Sequence, residues 1–266
     1  MKNTAKKAFA LILAIVTVLS LSLSGCKKSD KDLLARIKEK GTLEMGTEGD
    51  WAPWTYHDQD DNLVGFDVEL GKAVAEYIGV EAKISETDWD SILAGVDSGR
   101  FDTAFNGVAY TEERAKKYDF SKPYAFVDTV LIVREDTTDI NSLDDLKGKK
   151  TANTISSQYA KIAEEHGATV VGVNTILETI EQLVTGRVDA TLNAAVSFND
   201  YIKEHPEAPI KVVATVAREQ VVCPVKKGDD TKSFLDQVNA CIDEMRASGK
   251  LAELSEKYYG MDITKE

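Results

Sequence analysis

The stretch Phe101–Tyr124, FDTAFNGVAYTEERAKKYDFSKPY, decides how the chain reads. Phe101 to Phe105 has the pattern of a short strand, and Asn106 to Thr111 that of a turn of small and polar residues. Thr111-Glu112-Glu113-Arg114 then has the form of a capping box opening a short helix, with Thr111 as N-cap and Arg114 at the third helical position. An arginine there stands beside backbone N–H groups aimed at solvent. Those donors, the positive end of a helix and a guanidinium fork together suit a carboxylate or a phosphate. The other reading of the same residues is a surface arginine paired with Glu113.

The step into this stretch occurs twice. Val96-Asp97-Ser98-Gly99-Arg100-Phe101-Asp102-Thr103-Ala104 and Leu183-Val184-Thr185-Gly186-Arg187-Val188-Asp189-Ala190-Thr191 both carry a helix through S/T-G-R-x-D into a strand. Strand patterns at 42–46, 80–84, 127–133, 151–153, 169–173, 188–192, 210–216 and 221–225 alternate with helical ones at 67–78, 90–99, 157–166, 176–185 and 196–203. Ser156 is read as the cap of the helix that follows it. Apolar spacing then makes the tail helical, from Phe234 to Tyr258. The class is therefore α/β with mostly parallel sheets, and the repeated step implies two related lobes. Lobes of this kind enclose a cleft, with ligands held at strand carboxyl ends and helix N-termini. The loop Thr47–Tyr56, TEGDWAPWTY, brings two tryptophans after the first strand, and at least one is expected to line that cleft.

Composition narrows the function. Of 266 residues 43% are hydrophobic, enough for a proper core, and the net charge of -13 argues against nucleic acid and anionic lipid as docking partners. Met1–Lys7 is basic, Ala8–Leu23 is apolar and uncharged, and the run closes in Leu23-Ser24-Gly25-Cys26. This is the pattern of a signal peptide ending in a bacterial lipobox, with Cys26 as the lipidated mature N-terminus. Residues 1–25 are read as leader and 26–40 as lipid anchor and tether, although Leu33–Lys40 itself has a helical pattern. Removing Lys2, Lys6 and Lys7 with the leader makes the mature chain about -16 by subtraction. Cys223 and Cys241 remain as one disulfide or two buried thiols. No cofactor is implied. His57, His166 and His205 are scattered, and no His/Cys cluster has metal-ligand spacing.

These residues resemble a known family. Gly65-Phe66-Asp67-Val68-Glu69-Leu70, Gly99-Arg100-Phe101-Asp102, Thr111-Glu112-Glu113-Arg114, Asp119-Phe120-Ser121-Lys122-Pro123-Tyr124 and Gly186-Arg187-Val188-Asp189-Ala190, in this order, are similar to the extracellular solute-binding proteins of family 3, receptors of polar amino acid ABC importers. The resemblance runs from about Leu43 to Gly260, and Thr151–Tyr159 and Gly186–Asn193 resemble the cystine-binding branch most. It implies a type II periplasmic-binding-protein fold, a Venus flytrap. Lobe 1 would be 41–133 plus 226–266 and lobe 2 134–225, with two hinge strands crossing near Val133 and Val225. It also implies that Arg114 takes the ligand α-carboxylate. Backbone N–H groups of Ala109 and Ser157, with the Ser157 hydroxyl, would complete that cage. Trp51 and Trp89 would face the ligand side chain, with Glu48, Trp54, Asn106, Gly107, Ser156, Gln158 and Asn193 lining the rest.

One position departs from the pattern. Five residues after the aspartate of G-R-V-D, where the family usually has an aspartate for the ligand α-ammonium, stands Ala194. Ala109 also lacks the hydroxyl usual there. An unpaired buried ammonium costs on the order of a few kcal/mol. Either another acid, such as Glu48, replaces it, or binding is weak, or the ligand is not an ordinary α-amino acid. The expected function is a monomeric, lipid-anchored receptor on the extracytoplasmic face of a bacterial membrane, handing a polar amino acid, cystine-like by preference, to an ABC permease. The alternatives are a binder of a non-amino carboxylate and a dehydratase-like enzyme on the same fold.

Overall fold

The computed structural model describes residues 32–266; the expected leader and Cys26 lie outside them. The first elements are α1 (Leu33–Lys40), β1 (Thr42–Thr47), the short strands β2 (Asp50–Trp51), β3 (Thr55–His57) and β4 (Leu63–Val64), α2 (Phe66–Ile78) and β5 (Glu81–Glu86). Then come α3 (Trp89–Ser98), β6 (Thr103–Ala104), β7 (Tyr118–Phe120), β8 (Ala125–Arg134), β9 (Lys150–Asn153), α4 (Gln158–Glu165), β10 (Thr169–Gly172) and α5 (Ile176–Val184). The chain closes with β11 (Ala190–Ala194), α6 (Ala195–Glu204), β12 (Ile210–Val221), β13 (Pro224–Lys226), α7 (Lys232–Ala247) and α8 (Lys250–Tyr259).

Local chemistry sets the ends of these helices. Phe66, Val68, Leu70, Val74, Ala75 and Ile78 bury one side of α2, and Gly79 stops it in the left-handed region at φ 83°, its N–H bonded to Ala75 and Glu76 carbonyls. Asp88 caps α3 by accepting from Ser91 N–H at 2.9 Å.

Two sheets carry the fold. The first is parallel, ordered β5-β1-β6, with α2 and α3 as its crossovers. The second is ordered β10-β9-β11-β8-β12. In it β9 pairs in parallel with β10 and β11, while β8 runs antiparallel to both β11 and β12. The first core gathers Ile37, Leu43, Trp54, Phe66, Leu70, Tyr124, Phe234 and Leu251. The second sheet buries Ile132, Ile180, Leu183 and Phe198 on one face and Leu131, Val133, Leu146 and Leu192 on the other. The second sheet is thus mixed rather than mostly parallel, because β8 and β12 reach it from the first lobe.

Those two strands join the lobes, and the crossing is not at Val133. Ala125 and Val127 pack into the first core whereas Val130 to Val133 pack into the second. On β12, Val221 belongs to the first core and Ile210 to the second. The passage therefore lies near Val127–Val130 on β8 and near Glu219–Val221 on β12, with Val225 wholly on the first side. Two register shifts in β12, between Val212 and Ala214 and between Thr215 and Ala217, bend it on the way. The two strands expected at 210–216 and 221–225 are instead one twelve-residue strand and a short one beyond it.

The tether expectation for 26–40 also changes at its end. Leu33 and Ile37 are buried in the first core, so α1 is part of the lobe. Replacing Ile37 by Ala should cost about 2–4 kcal/mol of unfolding free energy, the usual loss for a buried branched aliphatic. Urea denaturation measures it, and a loss under 0.5 kcal/mol, roughly the effect of a surface change, would return α1 to the tether.

Candidate functional site

A cavity of about 650 Å³, open solvent at its mouth included, lies between the two sheets. Arg114 stands in its wall. Thr111 Oγ1 accepts from the Arg114 N–H at 3.1 Å, the expected cap. The helix it caps is a single 3-10 turn, Arg114–Lys116, rather than an α-helix. The guanidinium lies 5.1 Å from the Trp89 ring centroid and donates through Nη1 to the Ala109 carbonyl at 2.8 Å. Among the described residues no other side-chain hydrogen bond holds its fork, and the residue lines the cavity. Glu113, the partner of the surface-pair alternative, is 2.5 Å from Lys161 Nζ of the second lobe instead.

The turn before Arg114 is fastened on both sides. Tyr110 N–H bonds to the Gln220 carbonyl and Val222 N–H to the Val108 carbonyl, each at 2.8 Å, so Ala109 sits opposite Val221 with its own N–H unspent by that bridge. Gly107 N–H donates to Asp67 Oδ2 at 2.5 Å, and Tyr124 Oη donates to the same oxygen at 2.8 Å. Asp67 is fully buried, and burial pushes its carboxyl up to about 7 against those two donors. The G-F-D segment thus positions the turn without reaching the cavity. Gly107 itself is required: at φ +57°, an added Cβ would lie 2.7 Å from the Trp51 ring.

Trp51 lines the cavity and stacks on Trp54, centroids 5.7 Å apart and planes 29° apart. Trp54 has no exposed surface and belongs to the core. Asn106 is likewise buried behind the wall. Its Oδ1 accepts from Glu48 N–H at 2.7 Å and its Nδ2 donates to Glu48 Oε2 at 2.6 Å. Burial raises the Glu48 carboxyl to about 7, opposed by Asn106 and reinforced by Asp50, Asp88 and Asp90. Nine expected residues line the cavity together: Glu48, Trp51, Trp89, Gly107, Ala109, Arg114, Ser157, Gln158 and Asn193.

Four do not. Trp54 and Asn106 are second-row supports. Ser156 turns outward to Asp90, and the true cap of α4 is Ser157, whose Oγ accepts from Ala160 N–H at 3.1 Å. Ala194 is buried in the first core. The Ser157 N–H expected in a carboxylate cage is bonded to the Thr154 carbonyl at 2.9 Å, which leaves only its hydroxyl hydrogen for a ligand. The cavity adds residues absent from the expectation, among them Asp50, Asn153, Tyr159, Thr175 and Glu219. Glu219 is the main omission. It sits in the polar segment Ala217-Arg218-Glu219-Gln220, which reads as a break between two apolar strands but continues β12. Cys223 and Cys241 are free buried thiols, their ordinary values pushed up by burial to about 12 and about 11.

Residues 43–261 match the family described as bacterial extracellular solute-binding proteins, family 3. The chain belongs to that family. It is 37% identical to the L-cystine-binding protein TcyA of Bacillus subtilis, an alignment covering 98% of this chain and 100% of TcyA. The family's type II fold is also found in an ancestral arginine-binding protein bound to arginine, at 34% identity, TM-score 0.76 and coverage of 83% and 99%. The L-cystine solute receptor of Neisseria gonorrhoeae, in its unliganded open conformation, is 39% identical, with TM-score 0.59 and coverage of 88% and 99%. The more identical of these two structures superposes less well. Here Lys161–Glu113 and Ser156–Asp90 join the lobes across the cavity mouth.

Glu48 gives a test of the site's electrostatics. Its folded value of about 7 exceeds its ordinary 4.5. Between those pH values the folded chain holds more protons than the unfolded one, so this residue's contribution to stability falls as pH rises through the window. Glu48→Gln keeps an acceptor for Asn106 and removes the charge. It should stabilise the ligand-free protein at pH 8 by on the order of 1–3 kcal/mol and have little effect at pH 4. Chemical denaturation at both pH values measures this, and equal effects would mean the carboxyl is not perturbed.

Proposed function

We propose that this protein is the lipid-anchored receptor of an amino-acid ABC importer, closing around a zwitterionic amino acid with cystine-like ligands favoured. The observation that carries this is Arg114: a guanidinium laid on Trp89, tied once to Ala109 and otherwise directed into the cavity. It takes the ligand carboxylate in bidentate fashion. The hydroxyl of Ser157, from the other lobe, supplies a second donor to the same ligand, so binding and closure are one event. Trp51 and Trp89 supply flat apolar faces for the side chain. The similarity to TcyA, an L-cystine-binding protein, and the family membership support the amino-acid reading. The anchor is Cys26, from the lipobox pattern, and the membrane partner is a permease that takes the ligand when the lobes part.

Isothermal calorimetry of the wild-type protein against the standard L-amino acids, L-cystine, dicarboxylates and prephenate should give tight binding to an amino acid, L-cystine first, and no turnover of prephenate. Binding only to dicarboxylates, or turnover of prephenate, would replace this reading. Arg114→Ala should weaken the amino acid at least 100-fold, about 3 kcal/mol for a buried charged contact; a loss under threefold removes the arginine from the site. Cys26→Ala should move the protein from the membrane pellet to the soluble fraction, and unchanged pelleting would dismiss the lipid anchor.

A further inference from the structure

An α-amino acid carries its ammonium one carbon from its carboxylate, so the anion that holds the ammonium must adjoin the cation that holds the carboxylate. Three acids line the cavity, Glu48, Asp50 and Glu219, against a single cation, Arg114. Asp50 is exposed at the mouth. Glu48 is bonded to Asn106 and faces Asp50, Asp88 and Asp90. Of these three, Glu219 is the one whose charge acts on Arg114, with Glu113 acting more weakly from outside the cavity lining, and Arg114 in turn acts on Glu219. The two do not meet in an ion pair within 4 Å, although both line the same cavity. A gap between opposite charges is the space a zwitterion fills in reversed order, carboxylate on the arginine and ammonium on the glutamate.

Resting on the receptor reading above, we propose that Glu219 is the ammonium anchor and thereby the residue that makes the site specific for amino acids over plain carboxylates. Its placement is built, not incidental. Glu219 is 9% exposed, on the segment where β12 passes between the lobes. Thr129 Oγ1 donates to Glu219 Oε1, and Gln158 of the second lobe lines the same cavity and favours the charged form of the carboxyl. Thr129 is the strand partner of Ala194, so Glu219, which itself pairs with Val127, reaches by its side chain to the row where β11 brings no acid of its own. The bridge between Ala109 and Val221 fixes Glu219's strand against the turn that carries Arg114.

The charged and titratable groups around Glu219 are Arg114, Tyr159 from α4 and, farther along, Glu48. Without ligand, burial holds its carboxyl near pH 7. An arriving ammonium favours the carboxylate, so binding displaces a proton and affinity falls as pH drops below that value.

The experiment compares each amino acid with its desamino analogue: L-cystine with 3,3′-dithiodipropionate, and L-arginine with 5-guanidinopentanoate. Calorimetry is run at pH 7 in two buffers of different ionisation enthalpy, on the wild-type full chain in detergent and on Glu219→Gln. Wild type should prefer the amino acid at least 30-fold and release a proton with it but not with the analogue. Glu219→Gln should bring amino acid and analogue to within about threefold and abolish the release; Glu219→Asp should restore part of both. Should the glutamine variant fail to fold, the wild-type release with amino acid alone still supports the assignment, and its absence overturns it. A preference that survives Glu219→Gln overturns the anchor and leaves the receptor reading standing. Failure of wild type to bind either amino acid overturns both.

Discussion

Arg114 and Glu219 carry opposite charges into one cavity, and the fold holds them out of contact. A buried ion pair would satisfy both and leave nothing for a ligand. Here each is tethered from its own side: Arg114 by the Ala109 carbonyl and the Trp89 face, Glu219 by Thr129. The stitch between Ala109 and Val221 sets the width of the gap. Other features of the site act on this geometry at one remove. Asp67 fixes Gly107, Gly107 admits Trp51, and Trp54 backs Trp51 from the core. A change at Asp67 would therefore be felt at the ligand although no atom of Asp67 reaches it.

The alternation of elements and the repeated S/T-G-R-x-D step were legible in the chain because both are local patterns. Arg114 was legible for the same reason: its cap is three residues away, and Thr111 makes the predicted bond. What escaped was set across the sheet. The segment Ala217-Arg218-Glu219-Gln220 is polar and looks like a break, yet it pairs with Phe126–Thr129 because it crosses between lobes, where one face meets the cavity rather than a core. Ala194 failed as a lining residue because strand alternation turns it inward, while Asn193, one step earlier, faces the cavity; Trp54 failed because the turn between β2 and β3 carries it into the core. The crossing point slid from Val133 to about Val127–Val130 since an apolar strand looks the same in either core.

The cavity's charge also differs from a simple reading of the acidic composition. Glu48 and Glu219 both sit near pH 7 through burial, so the empty site sheds part of its negative charge by holding protons. That limits the cost of leaving two carboxyls dry while no ligand is bound, and it makes the site most anionic when a cation enters. With Glu219 as the proposed anchor, the acid lacking at the end of β11 is supplied from β12, two strands over across β8, through a side chain that adjoins Thr129.

Closure needs a source of free energy, and the direct lobe-to-lobe contacts at the mouth are poor candidates. Lys161 and Glu113 are both more than half exposed, and such pairs contribute about 1 kcal/mol or less. Ser156 and Asp90 meet at the surface as well. A ligand that touches Arg114 and Trp51 on one side and Ser157 and Gln158 on the other adds desolvated, charge-assisted bonds to both lobes at once. Differential binding of that kind is what shifts a two-state hinge. The surface pairs then act as a latch whose weakness is useful, because a receptor that must give up its ligand cannot be held shut by the protein alone.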